Sequence, residues 1–538
     1  MEKILIIFIT ILIFSLQVSA EKITVDSKGN VYLLGSFQDS IKFSDSTVIF
    51  TNNPYGNPKT YLVKLDPNGS VLWYKLFDQR EENNFDIHVD HTDHLVLASL
   101  VLGSIALDSV TIIQDVFRYL IARFDTDGNL LWYNLSSKDA NSYGVTMAID
   151  GQNNIYTSGL FASNFNFHGP DTIFTVYPTY KPFIAKFDSS GYNSWLQKLD
   201  NWTFRVFDID VDDLGNLVMV GGLQDSIILQ GDTLYAMAES DGYWAKFDTH
   251  GDLLKFKQIH GSVGAGIFDV GAGKNGHFSY VGFFRGDTLY IDDFPPTLPT
   301  TSESGNFVAH VDNTDTEMWL LNFNGTFDSD HYGIEMDSTN NTYLYTLWEQ
   351  GYYFNSSLNS FVGADLSESK YMIKMDSAGN FLCFLKINNG QIKDIEIREN
   401  GQIYLVANFE DFLTLNGTTY TQPGNSIFIA TFDLNCNAVW TSLISNPVVG
   451  INEASNSGNN NSIYPNPASH TITISLRDYP VKSEKITLFT MEGNRAMELK
   501  FSGSEQIELD IDKLSPGIYI IQVLTSDHKK LNYRMVKI

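Results

Sequence analysis

Cysteine is nearly absent from this 538-residue chain: it has two, Cys383 and Cys436. That count excludes a disulfide-stapled scaffold and a Cys/His zinc cluster. Positive charge is also scarce. Lys and Arg number 35 against 63 Asp and Glu, a formal net charge of -28. Such a surface repels phosphate, so no nucleic-acid partner is expected. No long apolar run follows the N-terminal segment, which excludes a later membrane-spanning helix. Several catalytic signatures are missing too. There is no G-x-S-x-G elbow and no G-x-G-x-x-G opening a helix, and GAGKNG (271–276) lacks the Lys-Ser/Thr ending of a phosphate loop.

What is present begins at the N-terminus. Lys3 precedes an apolar run from Ile4 to Leu16, and Val18-Ser19-Ala20 offers a small-x-small cleavage site before Glu21. Residues 1–20 therefore read as a secretory signal peptide, and no transmembrane segment remains after its cleavage. Aromatics make up 13% of the chain, enough to fill a large core, and the polar surface leans on Asn, Ser, Thr and Asp.

The body repeats. Its clearest unit is YLIARFDTDGNLLWYNL (119–135), and related runs give anchoring aspartates at Asp66, Asp125, Asp188, Asp248, Asp312, Asp376 and Asp433, spaced 57 to 64 residues apart. A second signature precedes each: ITVDSKGNVYLLGSF (23–37) in the first copy, IDVDDLGNLVMVGGL (209–223) in the fourth. Each alternates, turns on polar or Gly residues and alternates again, which reads as paired strands. A near-fixed period of four-strand units points to a radial array. The expectation is an all-β chain: a seven-bladed β-propeller over 21–446, a flexible Asn/Ser/Gly-rich linker over 447–462, and a small C-terminal β-sandwich over 463–538. Between the two signatures of each copy lies a less regular insert, expected to hold an extra hairpin or an extended loop.

Trp73, Trp132, Trp195, Trp319 and Trp440 share one repeat position, where a large buried ring is expected to cover the gap between adjacent blades. Lys255 and Cys383 replace it in two copies. Cys436 stands at a turn position that other copies give to Gly. No single register makes the two cysteines natural partners, so two buried or half-buried thiols are expected, with a disulfide between them as the alternative an exported chain invites. The aspartate that opens each turn is expected to accept hydrogen bonds from turn amides, which explains its recurrence without a metal.

The paired signatures D-x-x-G-N-V-Y-x-x-G-x-F and F-x-x-K-x-D-x-x-G-x-x-x-W resemble the SBBP-type β-propeller repeat of secreted bacterial proteins over nearly all of residues 22–443. Gly273 and Arg398 depart from the first signature's aspartate in copies five and seven. The resemblance implies a propeller and no catalytic set. Tyr464-Pro465-Asn466-Pro467, Met491-Glu492-Gly493, Leu514-Ser515-Pro516-Gly517-Ile518-Tyr519 and the tail ending Lys537-Ile538 resemble the type A sorting domain of the type IX secretion system of Bacteroidota. That resemblance implies handling of 463–538 by the type IX machinery and a secreted or outer-surface location.

No catalytic residue emerges from the sequence, and no cofactor is expected. Calcium is the weaker alternative: FDTDGN (124–129) and DVDDLGN (210–216) lack a full loop spacing and its closing glutamate. His88, His91 and His94 form an H-x-x-H-x-x-H run, read as a strand residue followed by a solvated turn rather than a metal site. Asp45, Asp108, Asp225 and Asp287 lie in or beside the inserts, with no means of pairing two at a set distance. The function expected is a surface module that binds glycan or protein through its loops. The alternative is an extracellular hydrolase or lyase acting on polysaccharide, which needs convergent acids in a central pocket.

Overall fold

A computed structural model describes residues 18–445 and 462–537, except 39, 45–46, 51–57, 78–84, 109, 138–144, 163, 176–179, 200–203, 292–303, 324–331, 349–351, 356–359, 364–368, 399, 465–469, 476–482, 491–494, 501–505, 516 and 526–529. Most of residues 1–20, read above as a signal peptide, and of 447–462, read as a linker, lies outside the described residues, as does Asp45. The chain divides into two compact units, Met1–Ser44 with Ile49–Asn446, and Asp45–Val48 with Pro447–Ile538. Among the described residues the regular structure is strand, apart from one 3-10 turn at Lys274–Gly276. None of them forms a helix long and apolar enough to cross a membrane.

In the first copy, Val18–Val25, Val31–Phe37, Lys59–Leu65 and Val71–Phe77 pair in that order as one antiparallel sheet. The second strand is buried along its whole length and the third nearly so, whereas the fourth alternates between half-buried and exposed positions. A strand covered on both faces needs the near-continuous apolar run VYLLGSF; an edge strand needs only one apolar face.

The pattern recurs. Phe85–Val89, Leu95–Leu107, Val110–Phe124 and Leu130–Leu135 form the second sheet; Thr146–Ile149, Ile155–Phe161, Lys181–Phe187 and Asn193–Lys198 the third. Phe204–Val211, Leu217–Leu223, Asp241–Phe247 and Leu253–Gly261 form the fourth; Gly264–Ala272, Phe278–Arg285, Ser304–Val311 and Glu317–Phe323 the fifth. Copies six and seven merge, because Phe381–Ile397 is the last strand of one and the first of the next. The merged sheet runs Tyr332–Met336, Thr342–Trp348, Ser369–Met375, Phe381–Ile397, Ile403–Leu415, Thr418–Phe432, Ala438–Ser445 and then Ser40–Ser44 from the first copy's insert. Among the described residues no sheet closes on itself.

Several inserts hold the expected hairpin, as at Ser226–Leu229 with Asp232–Tyr235. In copies two and seven the second and third strands simply lengthen into it. Inserts reach the last strand of the preceding copy: Leu289–Tyr290 pairs with His260–Gly261, and Lys42 pairs with Ser445.

The turns form as the aspartates require. Asp125 Oδ1 accepts the amides of Asp127 and Asn129 at 3.0 and 2.8 Å, and Oδ2 accepts the Asn129 side chain at 2.9 Å. Asp212 does the same for Leu214 and Asn216. Gly128 takes φ +83°, a conformation a Cβ disfavours.

The apolar cores lie between copies. Tyr32, Leu34 and Leu62 of copy one pack with Leu95, Leu97 and Leu120 of copy two. Val31, Leu33 and Val63 pack with Tyr404, Val406 and Ile429 of copy seven. Each repeated tryptophan bridges such a seam. Trp132 Nε1 donates to the Ser189 carbonyl at 3.1 Å, and its ring lies beneath Gly191 of the next copy. Trp73 meets Thr126 and Gly128, and Trp319 meets Ser377 and Gly379, in the same way. These rings are half-buried, not fully buried as their size alone led one to expect.

This seam corrects the reading of the cysteines. Cys383 and Cys436 are disulfide-bonded, with Cα atoms 6.0 Å apart. The Trp position of one copy faces the Gly position of the next at Trp73–Gly128, Trp132–Gly191 and Trp319–Gly379, and the same register joins Cys383 to Cys436 across the sixth seam.

In the second unit, Ser462–Tyr464, Thr471–Ser475 and Gln506–Asp510 form one sheet, and Arg495–Lys500, Ser483–Thr490, Gly517–Thr525 and Lys530–Lys537 another. Both feed one cluster that includes Ile472, Ile474, Leu488, Ile521 and Met535.

Candidate functional site

Polar side chains recur on the first strands, where an apolar strand is the default. Counting back from the first-signature position, the residues four and two earlier are Lys22 and Thr24, Asp86 and His88, Thr146 and Ala148, Asp208 and Asp210, Asp269 and Gly271, Gly333 and Glu335, Asp394 and Glu396. The intervening Ile23, Ile87, Met147, Ile209, Val270, Ile334 and Ile395 are buried. Period 2 therefore puts the polar members of these pairs on the opposite face from the buried residue between them. In copies one, four, five and seven a bulge just before the first of the pair shifts the register. Bulges of this kind re-aim a side chain.

These side chains hold successive first strands together. Asp86 accepts the Met147 amide at 2.9 Å, Asp208 the Val270 amide at 3.2 Å, Asp269 the Ile334 amide at 2.9 Å and Asp394 the Ile23 amide at 2.9 Å. Thr146 donates to Asp208 at 2.6 Å, and Thr24 accepts the Val89 amide at 3.1 Å. Asp210 accepts the Ala272 amide at 2.6 Å. Lys22 lies 3.5 Å from Asp86 and His88 3.7 Å from the same carboxylate.

The charged members of this set act on one another electrostatically. The field of Asp86 holds Lys22 above its ordinary value against the cost of burial, with further help from Asp394, Asp208 and Asp269. Burial alone would raise Asp86, but Lys22 and His88 hold it below the usual carboxylate range. Burial lowers His88, yet Asp86 outweighs it and brings the imidazole up to about 9. The remaining acids go the other way, with burial first in each case. Asp210 rises to about 7, Glu396 to about 7 and Asp394 to about 6. Asp269, beside Asp208, and Glu335, beside Asp210 and Glu396, rise well above the usual range. Lys22 and His88 nonetheless keep 40% and 37% of their side-chain surface.

The sequence reading did not find this cluster. Its signal was available: an aspartate stands four residues before the first-signature position in copies two, four, five and seven. The residues that reading named lie elsewhere. Asp108 pairs with Lys75 and accepts the Leu130 amide, and Asp287 accepts Ser262 Oγ at 2.8 Å. The carbonyl of Asp225 accepts the Ala236 amide. The three histidines do not converge. His88 lies 3.7 Å from Asp86, His94 Nδ1 lies 2.7 Å from Thr92 Oγ1, and the His91 amide donates to Asn153.

A different ion pair sits at the turn end of the copies. The first-signature aspartate meets the base two residues before the second one: Lys64 to Asp26 at 3.1 Å, Arg123 to Asp90, Lys186 to Asp150 at 4.0 Å, Lys246 to Asp212 at 3.8 Å, Lys374 to Asp337 at 3.8 Å. Copies five and seven have lost both partners together: the two positions hold Gly273 and His310 in one, Arg398 and Thr431 in the other. His310, buried, instead contacts His277 at 3.1 Å and Ser279 at 2.9 Å.

Exposed large apolar side chains fall mainly in two places. One is the fourth strands, with Leu72, Leu131, Met318 and Val439; the other is the inserts, with Ile113, Phe174, Tyr235 and Met237 exposed by 73%, 68%, 68% and 72%. In an antiparallel sheet the link from second to third strand lies opposite the two signature turns, so the inserts share one end of the strands.

Residues 462–537 match the secretion-system C-terminal sorting domain family. A tail of this family marks a secreted or outer-surface protein handled by the type IX machinery. No curated protein matches the chain. Among solved structures it is similar to the Dos1 propeller, at 8% identity, TM-score 0.36, over 75% of this chain and 92% of that one. It is also similar to a Synechocystis apocarotenoid oxygenase at 11% identity, TM-score 0.39, over 80% and 92%. A third likeness is to the extracellular domain of a putative one component system from B. thetaiotaomicron, at 10% identity, TM-score 0.23, over 97% and 98%. Scores this low carry no argument about fold or function.

Proposed function

We propose that the chain is an SBBP-like protein of Bacteroidota, exported by a cleaved signal peptide over 1–20, whose body is a seven-bladed β-propeller and whose tail is a β-sandwich address. Three links between the first and last copies support the ring: Asp394 on the Ile23 amide, Lys42 beside Ser445, and the Trp440 ring, which would lie 2.8 Å from a Cβ on Gly69. The body acts as a binding module for glycan or protein. The observation that carries this reading is the exposure of Phe174, Tyr235, Ile113 and Met237 on inserts at one end of the strands. Aromatic faces held open to solvent suit stacking on a sugar ring or a partner's apolar side chain.

A second reading, a hydrolase or lyase, is favoured by one feature: burial raises the carboxyls of Asp210 and Glu396 to about 7. Carboxylates so placed suit acid–base work. Several neighbours, however, are occupied as clamps on backbone amides, a structural role.

The test is a glycan and peptide array run beside hydrolysis assays on the secreted protein, with a Phe174→Ala/Tyr235→Ala variant. The binding reading predicts captured ligands, at least tenfold weaker binding in the variant, and no turnover. Turnover lost in Asp210→Asn, with array binding unaffected by the aromatic changes, overturns it in favour of the enzyme.

A further inference from the structure

We propose that a cleft where copy six passes into copy seven is a binding site for a single sugar residue that carries a carboxylate. This rests on the reading of the body as a glycan binder, and it puts one subsite apart from the exposed inserts.

A break in strand pairing builds the cleft. Phe381–Ile397 runs from copy six into copy seven, pairing Ile387 with Leu415 and Asn388 with Thr414. The ladder resumes only at Gly390 with Phe409, so Asn389 alone stands opposite residues 410–413. Asn389 takes φ +55°, a conformation that Asn tolerates better than most residues. A Cβ on Gly390 would overlap Leu413 and meet Ile387 Cγ2 at 3.0 Å, so only glycine lets the strand pass this close. Irregularities of this kind re-aim side chains and recur beside functional sites.

The opening measures about 240 Å³ and is lined by Lys370, Ile387, Asn389, Gly390, Gln391 and Asn408. The register sets Lys370 opposite Ile387, and Gln391 opposite Asn408. Ile387 and Gly390 are buried, Lys370, Gln391 and Asn408 half-buried, and Asn389 exposed. A buried apolar base thus meets three carboxamides and one ammonium.

That lining selects a ligand class. Each carboxamide offers donors and an acceptor in one plane, which matches neighbouring hydroxyls on a sugar ring. The ammonium adds a charge-assisted bond to an anion. Among the described residues that line the cleft none is a carboxylate, in a chain whose net charge is -28. An anion therefore meets less repulsion here than over the acidic surface at large. Drug-sized sites run to roughly 300–1,000 Å³ and are mostly apolar; this smaller, polar cleft suits one hydroxylated ring.

The experiment is a ligand-observed NMR titration of the secreted protein at pH 7. The probes are the methyl glycosides of glucuronic and galacturonic acid, each matched to its neutral glucoside or galactoside, with acetate as the bare anion. At least one uronide is expected to bind with a Kd on the order of 1 mM, about tenfold tighter than its neutral match and than acetate. Lys370→Met is expected to erase the difference between acidic and neutral sugar. Gln391→Ala/Asn408→Ala is expected to weaken both by about tenfold. Phe174→Ala/Tyr235→Ala leaves the titration unchanged. Melting curves confirm that each variant is folded. A neutral glycoside or acetate that binds as tightly as the uronides overturns the ligand class. Uronide binding that survives the cleft variants, or is lost in Phe174→Ala/Tyr235→Ala, overturns the site. Absence of uronide binding beside ligands captured on the array overturns this inference alone; an empty array overturns the binding reading with it.

Discussion

A single tryptophan shows how this chain converts repetition into cohesion. Trp132 donates to Ser189 and lies under Gly191, so its contacts belong to the next copy. Because the ring is half-buried, Trp132→Ala is expected to cost about 2–3 kcal/mol, below the 3–5 kcal/mol typical of a fully buried aromatic. Urea unfolding with an unchanged slope and a lowered midpoint is the check; an unchanged midpoint would mean that the seam does not depend on the ring. The Asp–base pairs at the turns were equally legible in retrospect. Lys64, Arg123, Lys186, Lys246 and Lys374 stand in copies that keep the first-signature aspartate, and both partners are absent where Gly273 and Arg398 replace it. What a single copy hid was that two positions far apart in the period form one contact.

At the level of elements, strand order followed from alternation and turn chemistry, because Asp–x–x–Gly turns and apolar second strands leave few other pairings. The disulfide was missed for a definite reason. Cys383 and Cys436 occupy different repeat positions, and a reading confined to like positions has no way to join them. Only the stagger between neighbouring copies brings the Trp site to the Gly site. The bond closes a loop with a sequence separation of 53, for which about 4 kcal/mol is the chain-entropy expectation. Replacing both residues by Ala should therefore lower stability by roughly 2–4 kcal/mol. Wild-type protein in reductant should lose a similar amount. A reduced protein with the same melting curve as the oxidised one would contradict a stabilising role. The first-strand acids were hidden for another reason: Asp and Glu total 63, and composition does not say which of them reach a neighbouring copy. The bulges that aim them are visible only in the register.

For the whole molecule, the account depends on the body closing so that copy seven meets copy one. Every seam logic found inside the chain is repeated at that joint: the Asp394 clamp, the insert strand at Lys42 and Ser445, the shared core of Val31, Leu33 and Tyr404, and Trp440 beneath Gly69. The Cys383–Cys436 bond supplies a way to ask the question chemically, since Gly69 and Trp440 hold the equivalent positions at the joint. Cys436 has φ +61°, so a cysteine is accommodated at the glycine site of such a turn. The most direct measurement is mass mapping of disulfides in the secreted Gly69→Cys/Trp440→Cys protein. The account predicts an intrachain bond between positions 69 and 440 in the monomer, beside the native one. Free thiols at both positions, or a bond found only between molecules, would contradict the closed ring.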